Sequence, residues 1–182
     1  HISKYFPGVR ALDDVSFEIP RGTTHCIIGE NGAGKSTIIK ILSGVHPATS
    51  GKLYVDGQEI HFTCPQDALE CGIGTVYQEL ANYPQLDVAR NLFSGALPQK
   101  SGTIDWTKLY KDTREVLDRF DLRYVNPKDM MMSLSLGTQQ MIEIAKLVIR
   151  DAKVIILDEP AAALTTVEIN KLFALIEEMK QK

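Results

Sequence analysis

Apolar and polar residues follow both the two-residue period of strands and the three-to-four-residue period of helices along this chain. Apolar side chains at every second position predict a half-buried strand over residues 15–19, and an apolar run predicts a second over residues 24–28. Shorter strands are predicted at residues 53–55, 60–62, 73–77 and 154–157. Helical spacing predicts helices over residues 36–42, 65–71, 105–120, 136–149 and 167–179.

The segment from residue 86 to about residue 150 is mostly helical in pattern, whereas strands are predicted on both sides of it. We interpret this segment as a helical subdomain inserted between strands of one α/β core. The chain has 182 residues, of which 44% are hydrophobic, which is enough for one domain of ordinary size.

Composition and charge exclude several classes of protein. The formal net charge is −3 and no long basic run occurs, so nucleic acid is not an expected partner. No apolar stretch approaches the length of a membrane span. Cys26, Cys64 and Cys71 show no C-x-x-C spacing and are expected to be reduced thiols in a cytoplasmic protein. The chain opens with HISKYF instead of Met, so we expect it to be a fragment.

A glycine-rich sequence, GENGAGKST, lies between the second predicted strand and the first predicted helix. It fits the pattern G-x-x-x-x-G-K-[ST]. A loop that wraps phosphates must turn its N–H groups inward, and Cβ atoms would obstruct the turn and the close approach. Lys35 is expected to reach the β- and γ-phosphates and Ser36 to bind Mg²⁺, while the following helix adds its dipole. The candidate phosphate-binding residues are Gly29, Asn31, Gly32, Ala33, Gly34, Lys35, Ser36 and Thr37.

Two acidic residues follow the apolar run at residues 154–157. Asp158 suits the shell of a Mg²⁺ ion, directly or through water. Glu159 is then free to orient or deprotonate an attacking water molecule, as a general base does. An acidic pair after a strand is by itself only a solvated end, but together with the glycine-rich loop it indicates hydrolysis of a nucleoside triphosphate.

The sequence LSLGTQQMIEIAKLVIRDAKVIILDEP, at residues 134–160, resembles the signature sequence, helix and Walker B strand of the ATP-binding cassette ATPases. With the glycine-rich loop as Walker A, three separated motifs occur in that family's order. FPGVRAL, GIGTVYQEL, MIEIAK and LDEPAAALT resemble the first cassette of bacterial monosaccharide importers of the ribose and galactose type. The resemblance implies one nucleotide-binding domain over residues 1–182. Its P-loop NTPase (RecA-like) core would carry an antiparallel β subdomain and an α-helical subdomain at about residues 86–150.

The resemblance also assigns roles to individual residues. Phe6 matches the aromatic residue that stacks on adenine, with Tyr5 as the second choice. Gln78 matches the glutamine that joins Mg²⁺ and the water site to the helical subdomain, and it is expected with Lys35 and Glu159 among the catalytic residues. The segment after it, at about residues 79–87, would contact a membrane subunit.

Ser135 and Gly137 match the signature residues that face the nucleotide of a second cassette. In this family ATP lies between the Walker A loop of one cassette and the signature of its partner, which implies a head-to-tail pair. A helical N-terminus at this position suits a phosphate.

The implied function is ATP binding and hydrolysis, with ATP and Mg²⁺, to power sugar import through a membrane permease. A sugar-binding protein would be an indirect partner, and the chain would lie peripherally at the cytoplasmic face of the inner membrane. The alternative is a regulatory or structural cassette that binds ATP and hydrolyses little. A GTPase would need the sequence NKxD, which is absent, since Asn170 and Lys171 are followed by Leu and Phe. A small-molecule kinase, or a cassette that acts in translation or DNA repair, is a further alternative.

Several positions depart from the family pattern. Leu136 and Thr138 replace the glycine and glutamine of LSGGQ, while Ala161 and Thr165 stand where Thr or Ser and Asp are frequent. A bulky residue such as Leu136 is common in the sugar importers, whereas Thr138 removes a long amide side chain from the interface. Because of Thr138, Ala161 and Thr165 we expect weak coupling between paired cassettes at this interface.

The family also places a further strand, ending in a histidine that contacts the γ-phosphate, after the helix predicted at residues 167–179. Here Lys182 comes before it, and His1, His25, His46 and His61 are all far upstream. We expect weak hydrolysis and low stability of the fragment, because in the family that strand lies between the Walker A and Walker B strands.

Overall fold

The computed structural model describes residues 1–160 and 164–180. The chain divides into two compact units. The first comprises residues 1–75, 152–158 and 178–182, and the second comprises residues 76–151 and 159–177.

The secondary structure alternates between short strands and helices. In chain order the elements are β1 (Ile2–Phe6), β2 (Val9–Val15), α1 (Lys35–Leu42), β3 (Leu53–Val55), β4 (Gln58–Ile60), α2 (Pro65–Glu70), β5 (Ile73–Val76), α3 (Val88–Leu92), β6 (Gln99–Lys100), β7 (Thr103–Ile104), α4 (Trp106–Arg119), a 3₁₀ turn (Met131–Ser133), α5 (Leu136–Val148), β8 (Val154–Leu157) and α6 (Thr166–Lys180).

The strands pair in twos within the described residues. β1 and β2 are antiparallel, with Lys4 opposite Leu12 and Phe6 opposite Val9. β3 and β4 form a hairpin, β5 lies beside β8, and β6 pairs with β7. The turn between β3 and β4 places Asp56 at φ 52° and Gly57 at φ 77°, the left-handed conformation that a two-residue hairpin turn needs.

The core of the first unit anchors the start of α1. Ile2 of β1 and Leu12 of β2 are buried with Ile38 and Ile41 of α1. Residues three apart on a helix share one face, so this pair directs the apolar face of α1 against the β1–β2 sheet. The loop that immediately precedes α1 is therefore held at one end by a packed core.

A capping box sets the start of α2. The carboxylate of Asp67 accepts hydrogen bonds from the backbone N–H of Thr63 (2.6 Å), from the Thr63 hydroxyl (2.7 Å) and from the backbone N–H of Cys64 (3.1 Å). These donors stabilise the ionised carboxyl and lower its pKa to about 2. Pro65 occupies the first turn, where its missing N–H does no harm.

The second unit has a helical core. α3 packs against α4 and α5. Its largest fully buried apolar side chains come from these three helices and from the segments between them: Val88, Leu92, Leu109, Leu117, Leu122, Val125, Met131, Met141, Ile142 and Ile144. No helix in residues 1–160 and 164–180 is long and apolar enough to cross a membrane.

Two predicted strands are wrong, and a third is displaced, since β4 covers Gln58–Ile60 instead of residues 60–62. β2 ends at Val15, where the first was expected to begin, and no strand is found at residues 24–28 of the described chain. Ile28 is 88% exposed. The apolar pattern is present in both segments, but a strand needs hydrogen bonds from a neighbouring strand, and none of the described strands pairs with these residues. The helices predicted at residues 36–42, 65–71, 105–120, 136–149 and 167–179 are confirmed within one or two residues, as is the strand at residues 154–157.

Candidate active site

The glycine-rich loop makes a tight turn immediately before α1. The N–H of Ala33 donates to the carbonyl oxygen of Glu30 at 3.1 Å. Gly32 and Gly34 have φ values of 85° and 87°, which side chains disfavour. At Gly34 space is also lacking, since a Cβ atom there would lie 2.6 Å from the carbonyl oxygen of Ala11. Glycine is thus required by both conformation and packing.

The ammonium group of Lys35 lies over this loop. Its Nζ donates to the carbonyl oxygens of Gly29 (2.7 Å) and Glu30 (2.9 Å). The loop therefore folds around a fixed positive charge, and Lys35 holds the turn closed.

The first turn of α1 has no capping side chain. Gly34 is its N-cap residue and offers none, and no acidic residue lies in the first turn. The N–H groups at the start of a helix need an acceptor, and they carry partial positive charge. Together with the Lys35 ammonium group, these N–H groups form a position that favours a bound anion. Ser36 is exposed at this point and Thr37 is half-buried.

Asp158 and Glu159 follow β8 as predicted. Asp158 is half-buried and Glu159 is exposed. Glu159 has a φ of 50°, a left-handed conformation that is uncommon for Glu and costs about 1–2 kcal/mol.

Phe6 ends β1 with a partly open ring. Phe6 is 37% exposed, its ring lies at 75° to that of His46 with 5.7 Å between centroids, and Lys4 Nζ lies 5.1 Å from its centroid. Tyr5 is exposed to a similar degree and lies under the guanidinium of Arg10 at 5.2 Å. Both aromatic rings are accessible, so the geometry does not choose between them as a stacking partner.

The motif LSLGT forms the start of α5. The Ser135 hydroxyl is the N-cap and accepts a hydrogen bond from the N–H of Thr138 at 3.2 Å. Thr138 is only 4% exposed, and its hydroxyl lies 2.8 Å from that of Ser135 and 3.1 Å from that of Tyr124. Its side chain thus serves the packing of this unit, whereas Leu136 is 61% exposed.

Gln78 is exposed beside this motif. It lines a cavity of about 310 Å³ whose other walls are Glu79, Leu80, Leu136 and Gln140. The structure therefore brings the predicted glutamine close to a signature residue within the second unit.

The sequence matches a known family over most of its length. The family model described as "ABC transporter" matches residues 12–162. The chain belongs to the ABC transporter family.

The similar curated proteins come from bacterial sugar importers. The chain is 46% identical over 180 residues to an arabinose import ATP-binding protein (AraG) of Vibrio parahaemolyticus, covering 99% of this chain and 35% of that protein. It is 44% identical over 180 residues to a ribose import ATP-binding protein (RbsA 1) of Streptomyces avermitilis, covering 99% and 34%. The chain spans about a third of the length of the curated relatives it matches.

A solved structure confirms the fold class. The ADP conformation of MJ1267, an ATP-binding cassette of an ABC transporter, superposes with a TM-score of 0.82 at 27% identity, covering 99% of this chain and 74% of that one. The predicted family and the P-loop NTPase fold with mixed α and β content are thus confirmed.

The ABC motif residues are divided between the two units. The Walker A loop, Phe6 and Asp158 belong to the first, and Gln78, Glu159, Ser135 and Gly137 belong to the second. Ala161 lies outside the described residues. Among the described residues no group of three His, Cys, Asp or Glu side chains could hold a metal ion by itself.

The sequence did not reveal a set of amide side chains next to the signature helix. Asn82 Nδ2 donates to Gln139 Oε1 at 2.7 Å, and Gln139 Nε2 donates to the Leu134 carbonyl oxygen at 2.9 Å. Asn91, on α3, is 1% exposed. The sequence signal for this set was the presence of polar residues, such as Asn91 and Gln139, at helix positions where the pattern calls for apolar ones.

The Asn91 side chain forms hydrogen bonds with the backbone of residues 83–87, in the segment that follows Gln78. Its Oδ1 accepts from the Tyr83 N–H at 2.7 Å, and its Nδ2 donates to the carbonyl oxygens of Tyr83 (3.0 Å), Leu86 (3.3 Å) and Asp87 (3.0 Å). One buried amide thus provides hydrogen-bond partners for four backbone groups of residues 83–87.

Proposed function

We propose that this chain is the ATP-binding and ATP-hydrolysing part of a transporter subunit that powers sugar import through a membrane permease. The observation that carries the proposal is the phosphate loop: Lys35 holds the turn, Gly34 packs against Ala11, and the first turn of α1 lacks an acceptor. The relatives, which are import ATP-binding proteins for arabinose and ribose, support the transport role.

The loop would hold the triphosphate of ATP. The N–H groups of residues 29–37 would bind phosphate oxygens, and the Lys35 ammonium would move from the loop carbonyls to the β- and γ-phosphates. Ser36 and Asp158 fit a Mg²⁺ ion, since a hydroxyl and a carboxylate are oxygen ligands, with Gln78 as a further oxygen ligand. Mg²⁺ would supply neutralisation of the charge on the phosphates. Phe6 would stack on adenine.

Glu159 and Gln78 would act on the water molecule. The Glu159 carboxylate accepts a proton as the water oxygen attacks the γ-phosphorus, and ADP leaves with the electrons of the broken P–O bond. The Gln78 amide orients that water molecule, and its neighbours at residues 79–87 carry the change towards the permease.

The partners follow from the same proposal. A second cassette pairs head to tail, so that Ser135 and Gly137 face its nucleotide, and a sugar-binding protein delivers the sugar to the permease. The chain would lie at the cytoplasmic face of the inner membrane as a peripheral subunit. The sugar import named for the relatives is a property of proteins about three times as long.

The second candidate is a cassette that binds ATP and hydrolyses little. It is favoured by one observation: Gly137 is buried in this structure, so the residue expected to meet the second nucleotide is covered.

The proposal is tested by titrating the chain with ATP and Mg²⁺ in a calorimeter, with Lys35→Ala as the control. We expect the control to bind about ten- to a hundred-fold more weakly, since charged hydrogen bonds contribute about 1.5–3 kcal/mol. Circular dichroism of Lys35→Ala would show whether the fold persists without the lysine. Equal affinity of the two proteins, or no binding by either, would contradict the proposal.

A further inference from the structure

The carboxylate of Glu168 lies directly against Gly137. A Cβ atom at Gly137 would be 2.6 Å from Glu168 Oε1 and 2.7 Å from Glu168 Cδ. Gly137 is buried, although the motif it belongs to starts a helix at an otherwise exposed position, with Ser135 and Leu136 exposed beside it. The chain therefore covers its own signature glycine with a negatively charged group.

The fold holds this carboxylate in place. Glu168 Oε2 accepts hydrogen bonds from the N–H and from the hydroxyl of Thr165, both at 2.8 Å, and the Glu168 N–H donates back to the Thr165 hydroxyl at 3.3 Å. This reciprocal arrangement is a capping box at the start of α6. Glu168 is half-buried, and the hydrogen bonds at the start of α6 fix the position of its carboxylate.

The site that Glu168 occupies favours an anion. α5 runs for 13 residues from its N-cap at Ser135, and Gly137 lies in its first turn. Partial positive charge from the helix dipole is concentrated in that turn. No acidic residue of α5 itself lies there. The carboxylate of α6 therefore supplies the negative charge to α5 from outside.

We propose that Glu168 is an internal competitor for the phosphate position at the signature glycine. The inference rests on the proposed function, in which Gly137 receives a phosphate from the nucleotide of a second cassette. The carboxylate and that phosphate carry like charge and need the same space, so Glu168 must withdraw before two cassettes close on ATP. Glu168 thereby weakens pairing without changing how the phosphate loop of its own chain binds ATP.

The substitution Glu168→Gln separates charge from structure. Glutamine also serves in a capping box, so the start of α6 is retained while the negative charge at Gly137 is removed. The control is Glu115→Gln, which changes the net charge equally at a side chain of α4 that is 67% exposed. The pairing of each protein would be measured by sedimentation equilibrium with Mg²⁺ and a non-hydrolysable ATP analogue, and ATP affinity by calorimetry.

We expect Glu168→Gln to pair about two- to five-fold more tightly than the unsubstituted chain, which is the size of one charge effect at a helix N-terminus. ATP affinity should stay the same, the melting temperature should fall slightly because the favourable charge at the start of α5 is lost, and Glu115→Gln should change neither pairing nor affinity. Equal or weaker pairing of Glu168→Gln overturns the inference, because the contact is then structural only. Absence of ATP-dependent pairing in all three proteins while the analogue is bound also overturns it. Loss of ATP binding in the unsubstituted chain would instead contradict the proposed function.

Discussion

The backbone of Gly34 lies against the carbonyl oxygen of Ala11, so close that a Cβ atom on Gly34 would come within 2.6 Å of it. The side chain of Leu12 blocks the same space, with its Cδ2 at 2.7 Å from that position. This contact fixes the position at which the glycine-rich loop packs against strand β2.

We predict that Gly34→Ala destabilises the chain more than Gly32→Ala does. Both glycines have positive φ, so each substitution should lower the free energy of unfolding by about 1–2 kcal/mol. Nothing lies within 4 Å of a Cβ atom at Gly32, whereas Gly34→Ala adds the clash with Ala11, about 1–3 kcal/mol for overpacking. Urea denaturation measures the difference. Equal losses for the two variants would show that β2 yields to the added methyl group.

We predict that Glu159→Gln lowers the rate of ATP hydrolysis by about a hundred-fold or more, as removal of a general base does. ATP affinity should stay within a few-fold, because the phosphate loop is untouched. A phosphate-release assay and calorimetry on the same protein give the two values. Asp151→Asn is a suitable control, since Asp151 is another exposed acidic residue with positive φ. Turnover that survives in Glu159→Gln would remove Glu159 from the catalytic role, whereas ATP binding without turnover in the unsubstituted chain would favour the cassette that hydrolyses little.

We predict that Glu143 makes the chain less stable as the pH rises. Burial raises the pKa of this carboxyl above its ordinary 4.5, and Lys146 at 3.7 Å, together with Arg150, offsets only part of that effect. The folded state therefore holds the Glu143 proton more tightly than the unfolded state. Its contribution is fully present below pH 4.5 and is lost as the pH rises through the folded pKa.

Glu143→Gln should remove this part of the pH dependence, which urea denaturation between pH 4 and pH 8 would measure. The slope with pH is the readout, because the substitution also takes away the partner of Lys146 and so changes the absolute stability. Glu115→Gln, at an exposed carboxylate, is the matched control. An unchanged slope in Glu143→Gln would mean that the buried carboxyl titrates as it does in the unfolded chain.

The helices were predictable because their signal is local. The apolar positions of α1, α4 and α5 repeat within a few turns, and the cap of α6 is visible in the spacing of Thr165 and Glu168. The strand expected at residues 24–28 has an equally clear apolar run. It depends, however, on a neighbouring strand, which a local pattern does not contain.

The candidate site was also predictable only where its signal is local in sequence. The tight glycine turn before α1 was predictable from its sequence pattern, while its role in binding phosphates stays a prediction. The contact between Glu168 and Gly137 joins two helices that are distant in sequence, and no spacing rule reports it. The same holds for the hydrogen bond between Asn82 and Gln139.

The single amide of Asn91 makes the segment at residues 83–87 mechanically stiff. Tyr83 is 55% exposed at its surface, yet its N–H and its carbonyl are both bound to a side chain that is 1% exposed. A displacement of Tyr83 would therefore have to break these hydrogen bonds or move α3 with it.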